Sequence, residues 1–182
     1  LLHVVDVNVV AEHGAGVAVF AGYRGAGKCY KSGVGQRIAQ MLRVTHLLAG
    51  KGKDLWSVDA EQPVLEAIQI MADRRIGALP VMRAGELVGV VSERDYARKV
   101  ILLGRSSAET AVWQIMSSPV ITVGPGETVR RCMEIMTERR IRHLPVVEGG
   151  VTVGMISIGD LVRAVIEEQK ETIEQLEKFI AG

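Results

Sequence analysis

The 182-residue sequence predicts a mixed α/β (α+β) fold: two copies of one β-α-β-β-α unit paired with each other, with a long C-terminal helix. Three observations predict it. First, a shift of 65 residues lays Leu55–Arg98 on Val120–Arg163 without a gap. About a third of the pairs are identical, Val58/Val123, Met71/Met136, Ile76/Ile141, Pro80/Pro145, Gly89/Gly154, Ser92/Ser157 and Asp95/Asp160 among them, and chance rarely holds one register that long. Second, inside each copy the apolar spacing changes from helical to strand-like at matching positions. Third, an apolar stripe runs well past the end of the second copy.

Each copy opens on a short apolar strand, LWSV or VITV, followed by the turns DAEQP or GPGET. Helices follow over Val64–Arg74 and Val129–Arg139. In the first, Val64, Ala67, Ile68 and Met71 share one face, as Val129, Cys132, Met133 and Met136 do in the second. Two strands come next, ALPVM with LVGVVS and HLPVV with TVGMIS, joined by the turn segments RAGE and EGG. A second helix starts at Ser92 or Ser157, where a hydroxyl can cap the first amides. A unit of about 45 residues is too small to bury its own sheet face, so the two copies are expected to pair. The polar stretch GRSSAETA, Gly104–Ala111, is the hinge between them. The last helix, from Ile158 to about Ile180 and roughly 34 Å long, carries Val162, Val165, Ile166, Ile173, Leu176 and Ile180 at near-heptad spacing. Its later turns are free to pack on residues 1–54 or on another subunit.

Residues 1–40 match neither copy and are rich in glycine. Within them GVAVFA leads into GYRGAGKC, close to a phosphate-binding loop, but Cys29 stands where the motif needs Ser or Thr to hold magnesium. A nucleotide hydrolase is therefore the weaker reading and a glycine-rich leader or extension the stronger. The resulting division is 1–40 leader, 41–104 first repeat and 105–182 second repeat.

Apolar residues make up 48% and aromatics 4% of the chain, so the core must be built from Val, Ile, Leu, Met and Ala. A formal charge of +1 offers no global field for nucleic acid or an anionic membrane. No apolar run approaches the ~18 residues a membrane helix requires, and Cys29 and Cys132 form neither a disulfide framework nor a zinc spacing. These features lead us to expect a soluble, cytoplasmic protein. His3, His13, His46 and His143 are dispersed, with no nucleophile–base pair or metal cluster, so no enzymatic activity is expected.

The chemistry concentrates in a motif written twice, G-h-h-S-x-x-D with h apolar: Gly89 to Asp95 and Gly154 to Asp160. Serine at a helix start sits among free amides that favour an anion. The aspartate three residues on suits a pair of vicinal hydroxyls, as on ribose. Either pair alone is also a plain capping box. Two pairs at the same strand-to-helix junction favour ligand contact.

The LPV strands, this junction and the tandem layout resemble cystathionine-β-synthase (CBS) domain pairs, also called Bateman modules, over about Met41–Gly182. SERDYARKV, RIRHLPV and SIGDLVRAVI are particularly similar to stand-alone bacterial pairs and their plant-organelle relatives. The resemblance implies pseudo-two-fold symmetry and two clefts, each able to hold an adenosine nucleotide. It places Ser92, Arg94, Asp95, Val120, Ile121, Arg142 and His143 in the first, with Arg142 and His143 towards the phosphate. It places Leu55, Trp56, Gly77, Ala78, Ser157 and Asp160 in the second. Because Gly77-Ala78 stand where the other copy has Arg142-His143, the second cleft is expected to lack cationic side chains at the phosphate positions and to bind phosphorylated ligands less tightly. AMP is the favoured ligand, with ATP or NAD as alternatives and S-adenosylmethionine not distinguished from them. The implied role is a regulatory sensor, a homodimer acting on a partner that by analogy is a redox protein. A ligand-free dimerisation module is the rival, and DNA binding lacks a basic recognition helix.

Overall fold

The computed structural model describes residues 42–51 and 55–181. The leader and the phosphate-loop-like segment lie outside these residues. The elements run α1 (Val44–Ala49), β1 (Val58–Asp59), α2 (Val64–Arg74), β2 (Ala78–Arg83), β3 (Glu86–Ser92), α3 (Glu93–Tyr96) continued by a π-helical turn (Ala97–Ile101), a 3-10 turn (Val112–Gln114), α4 (Val129–Arg139), β4 (His143–Glu148), β5 (Val151–Ser157) and α5 (Ile158–Ala181). This is the α+β repeat architecture expected from the sequence.

Both first helices of the repeats have the predicted bounds, and their ends explain why. Each runs out at the second arginine of the Arg-Arg-Ile triplet, Arg75 or Arg140, in left-handed conformation at φ 53° and 55°. The next amide then folds back: Ile76 N–H donates to Met71 O and Ile141 N–H to Met136 O, both at 3.0 Å. A non-glycine residue in this conformation costs about 1–2 kcal/mol, which the packing of the half-buried Ile76 and Ile141 against the two cores helps offset. Strands β2 and β3 pair antiparallel, as do β4 and β5, and both ladders slip register at the same place, Val81/Met82 and Val146/Val147. Strand β1 joins the first sheet in parallel. In the second repeat this strand is reduced to a single parallel bridge between Val123 and Val146.

The two cores are not divided where the sequence repeat divides. One gathers Val58, Val64, Met71, Leu79, Val81 and Val91 from the first repeat, together with Val112 and Ile115. The other gathers Val129, Cys132, Met136, Leu144, Val146, Ile156 and Leu161, together with Val44. Each aligned copy is thus completed by the segment that precedes the other copy. The backbone contacts match pairwise. Val112 and Trp113 N–H donate to Gln62 O and Ala60 O, while Val44 and Thr45 N–H donate to Glu127 O and Pro125 O, at 2.9–3.0 Å. The amide of Val64 is satisfied by Thr110 O and that of Val129 by Leu42 O, each at 2.9 Å. Gly89 and Gly154 are required at these crossings. A Cβ at Gly89 would run into the Met116 side chain, and one at Gly154 would stand 2.5 Å from Leu48 Cδ2.

Helix α5 buries Leu161 and Ala164, and Val165 packs against the second core. The rest of the predicted stripe, Val162, Ile166, Ile173, Leu176 and Ile180, is exposed, as is Phe179. No helix among the described residues is long and apolar enough to cross a membrane.

Candidate ligand clefts between the repeats

Two clefts open where the strand-to-helix junction of one repeat faces the other repeat. The first, about 370 Å³, brings together Ser92, Arg94, Asp95, Val120, Ile121, Arg142 and His143, all seven residues expected there. The second, about 860 Å³, is lined by Leu55, Trp56, Gly77, Ala78, Ser157 and Asp160, again the full expected set.

The capping reading of the motif holds at both junctions. In the first, Asp95 Oδ2 accepts from the N–H of Ser92 at 3.2 Å and from its hydroxyl at 2.5 Å, and Asp95 N–H donates back to Ser92 Oγ at 3.2 Å. In the second, Asp160 Oδ2 accepts from Ser157 N–H and Ser157 Oγ at 2.6 Å each. Capping aligns each carboxylate along the cleft wall, so it positions the acid without using it up.

Each carboxylate also meets a lysine. Lys99 Nζ lies 2.8 Å from Asp95 Oδ1 and donates to Ile115 O at 2.6 Å. Lys51 Nζ lies 2.5 Å from Asp160 Oδ2 and donates to Met155 O at 3.1 Å. Neither contact was expected from the sequence. The position of Lys99 one turn after Asp95 was a usable signal, whereas nothing local connects Lys51 to Asp160. Burial pushes the Asp160 carboxyl up, but the hydrogen bonds from Lys51 and Ser157 outweigh it and hold the group below its ordinary value.

Gly77 and Ala78 supply no charge at the positions expected to face a phosphate, but cations reach the second cleft from elsewhere: Lys51, Arg74, Arg75 and Arg163 line it. They come from the segment before the first aligned copy, the end of α2 and helix α5. One expectation about charge needs correction. His143 does not belong to the first cleft alone. It lines both, and its ring stands against Gly77, where an added Cβ would be 3.8 Å from His143 Cε1. Burial, then the Lys51 charge, lower its pKa, with Arg142 adding and Asp160 opposing. It is therefore a neutral partition between the clefts at pH 7, and Arg142 carries the permanent charge of that pair. Trp56 is covered by Arg74, whose guanidinium carbon sits 3.7 Å from the ring centroid. Among the described residues no group of His, Cys, Asp or Glu is arranged to hold a metal ion.

The family model for the CBS domain matches residues 52–101 and 112–167. The mitochondrial CBS domain-containing protein CBSX3 of Arabidopsis thaliana is 41% identical over 149 residues, 76% of this chain and 72% of its own length. A solved protein with CBS domains from Burkholderia ambifaria is 46% identical with a TM-score of 0.67, covering 70% of this chain and 96% of its own. The CBS domain pair of protein MJ0100, solved with 5′-methylthioadenosine and S-adenosyl-L-methionine, is 26% identical with a TM-score of 0.60, covering 67% of this chain and 94% of its own.

Proposed function

The chain belongs to the CBS domain family as a tandem pair, and from that premise we propose that it is a non-catalytic regulatory sensor of adenosyl ligands. One observation carries the reading. In each of two clefts a capped aspartate at a helix start faces apolar and cationic side chains of the opposite repeat. A carboxylate can accept both hydroxyls of a ribose. Val120 and Ile121 offer apolar contact for adenine, and Arg142 offers a charge-assisted contact for phosphate. The adenosyl ligands bound by the MJ0100 pair support this class of ligand, and the cations in both clefts favour its phosphorylated members, AMP, ATP or NAD.

Because each cleft is walled by both repeats, a ligand that fits one spacing of the repeats better than another shifts the pair towards that spacing, by no more than its difference in affinity. The exposed apolar residues of α5 support self-association, with a homodimer as the working assembly, and a partner protein would read the change in shape. Isothermal titration of the purified chain with AMP, ATP, NAD and S-adenosylmethionine tests the reading. Saturable binding of at least one is expected, together with its loss in the Asp95→Ala/Asp160→Ala double variant. No heat with any of the four, and no carried-over ligand mass by native mass spectrometry, would refute it in favour of a ligand-free assembly module.

A further inference from the structure

We propose that Lys51 makes the second cleft selective for anionic over uncharged adenosyl ligands, an inference that rests on the adenosyl reading above. The two clefts each hold one lysine against their carboxylate, but the lysines are not repeat equivalents. Lys99, one turn after Asp95 on the same repeat, has Ala164 as its counterpart, a side chain too short to reach Asp160. Lys51 follows α1, the segment that packs on the opposite repeat, and in the register of the two crossings, where Val44 matches Val112 and Leu48 matches Met116, Pro119 occupies its place. Asp160 therefore receives its cation from a distant part of the chain.

The geometry of this lysine differs from that of Lys99 in what it leaves available. Lys51 lines the second cleft, whereas Lys99 does not line the first. An ammonium has three N–H donors. Lys51 spends two, on Asp160 Oδ2 and Met155 O, and the third is left for a group in the cleft. On the carboxylate, both Ser157 donors and Lys51 converge on Oδ2. Among the described residues no donor is assigned to Asp160 Oδ1, which leaves that oxygen for a ribose hydroxyl. At the first cleft the matching oxygen, Asp95 Oδ1, is already held by Lys99.

The other charged groups of the cleft stand differently. Arg74 is stacked on Trp56, Arg75 and Arg163 line the cleft with no ion pair to Asp160 among the described residues, and half-buried His143 has its proton disfavoured by burial and by Lys51. Lys51 is the cation in direct contact with the carboxylate, so a phosphate on a ribose held by Asp160 lies within its field. An uncharged nucleoside draws little from the same ammonium.

The test is titration of AMP and adenosine into the full chain carrying Asp95→Ala, which silences the first cleft, with Lys51 intact or changed to Met or Arg. Lys51→Met is expected to weaken AMP by about ten- to a hundred-fold, the worth of one charge-assisted contact. Adenosine affinity should stay level or rise, because Asp160 loses a competing partner. Lys51→Arg should retain the preference for AMP. An equal loss for AMP and adenosine, or an unchanged AMP preference in Lys51→Met, overturns the inference while leaving adenosyl binding standing. Absence of binding by either compound to the Lys51 parent instead refutes the adenosyl reading of this cleft, and the inference falls with it.

Discussion

Replacing Asp95 by alanine separates what its carboxylate does for the fold from what it does for a ligand. The substitution removes the acceptor for Ser92 N–H and Oγ, at 3.2 and 2.5 Å, and the partner of Lys99 at 2.8 Å. The return bond from the residue-95 amide to Ser92 Oγ survives, because it uses backbone. Half a capping box is worth about 0.5–1 kcal/mol, and an i,i+4 ion pair with a lysine this exposed adds about 0.3–0.5 kcal/mol. The total, about 1–1.5 kcal/mol, lowers Tm by only about 2–6 °C for a chain of this size. Binding should suffer more. A carboxylate accepting from ribose hydroxyls contributes about 1.5–3 kcal/mol, or about ten- to a hundred-fold in affinity at the first cleft. Calorimetric titration with AMP, alongside a thermal melt of the same sample, reads both numbers. Asp95→Asn keeps an acceptor for Ser92 and discards the charge, so it should melt nearer the wild type while still binding poorly. Unchanged AMP affinity in a folded Asp95→Ala protein refutes the role assigned to this residue.

Acidification should destabilise the protein in two stages. His143 is held below its ordinary value of 6.5, so the unfolded chain takes up that proton first, and the contribution present above pH 6.5 is lost as pH falls through it. Asp160, held below its ordinary value of 3.8, gives a contribution present above that pH and lost as pH falls further. Tm measured from pH 7.5 to 3 should show both losses, and His143→Gln should flatten the upper one. Gly89→Ala should cost about 1–3 kcal/mol through overpacking against Met116. Met116→Ala should relieve part of that cost in the double variant, and additive losses by denaturant titration would contradict the crossing contact. Cys132, buried and pushed up to about 11 by burial and then by the Glu127 charge, should not react with a thiol reagent at pH 8 until the protein unfolds. Rapid labelling of that residue in the native protein would contradict its burial.

What could be read from the chain alone was whatever is local or periodic. Helices Val64–Arg74 and Val129–Arg139 follow from apolar spacing ended by Arg-Arg-Ile, and the gathering of Ser92, Asp95, Arg142 and His143 into one cleft follows from the repeat combined with family resemblance. Contacts without a local signature were not legible. The pairing of Lys51 with Asp160 spans more than a hundred residues and has no counterpart in the other copy, so the repeat itself hides it. His143 was assigned to one cleft because the strand pattern gives its face but not how close Gly77 lets its ring approach the other side. The crossing of the segments before the two repeats escaped for a similar reason. Val44, Leu47 and Leu48 stand ahead of the first aligned copy, and nothing in the sequence says which sheet they cover.

That crossing makes the inherited unit and the folding unit different objects. A protease cut near Gly104 would sever the copies by sequence, yet the N-terminal fragment would still carry Val44 and Leu48 as the other fragment's plug, and the C-terminal one Val112 and Ile115 in return. The fragments should stay clasped and melt as one, like two hands with interlaced thumbs. Evolution could therefore alter either copy freely on its outer surface, but the handshake residues would have to change in step with the opposite half.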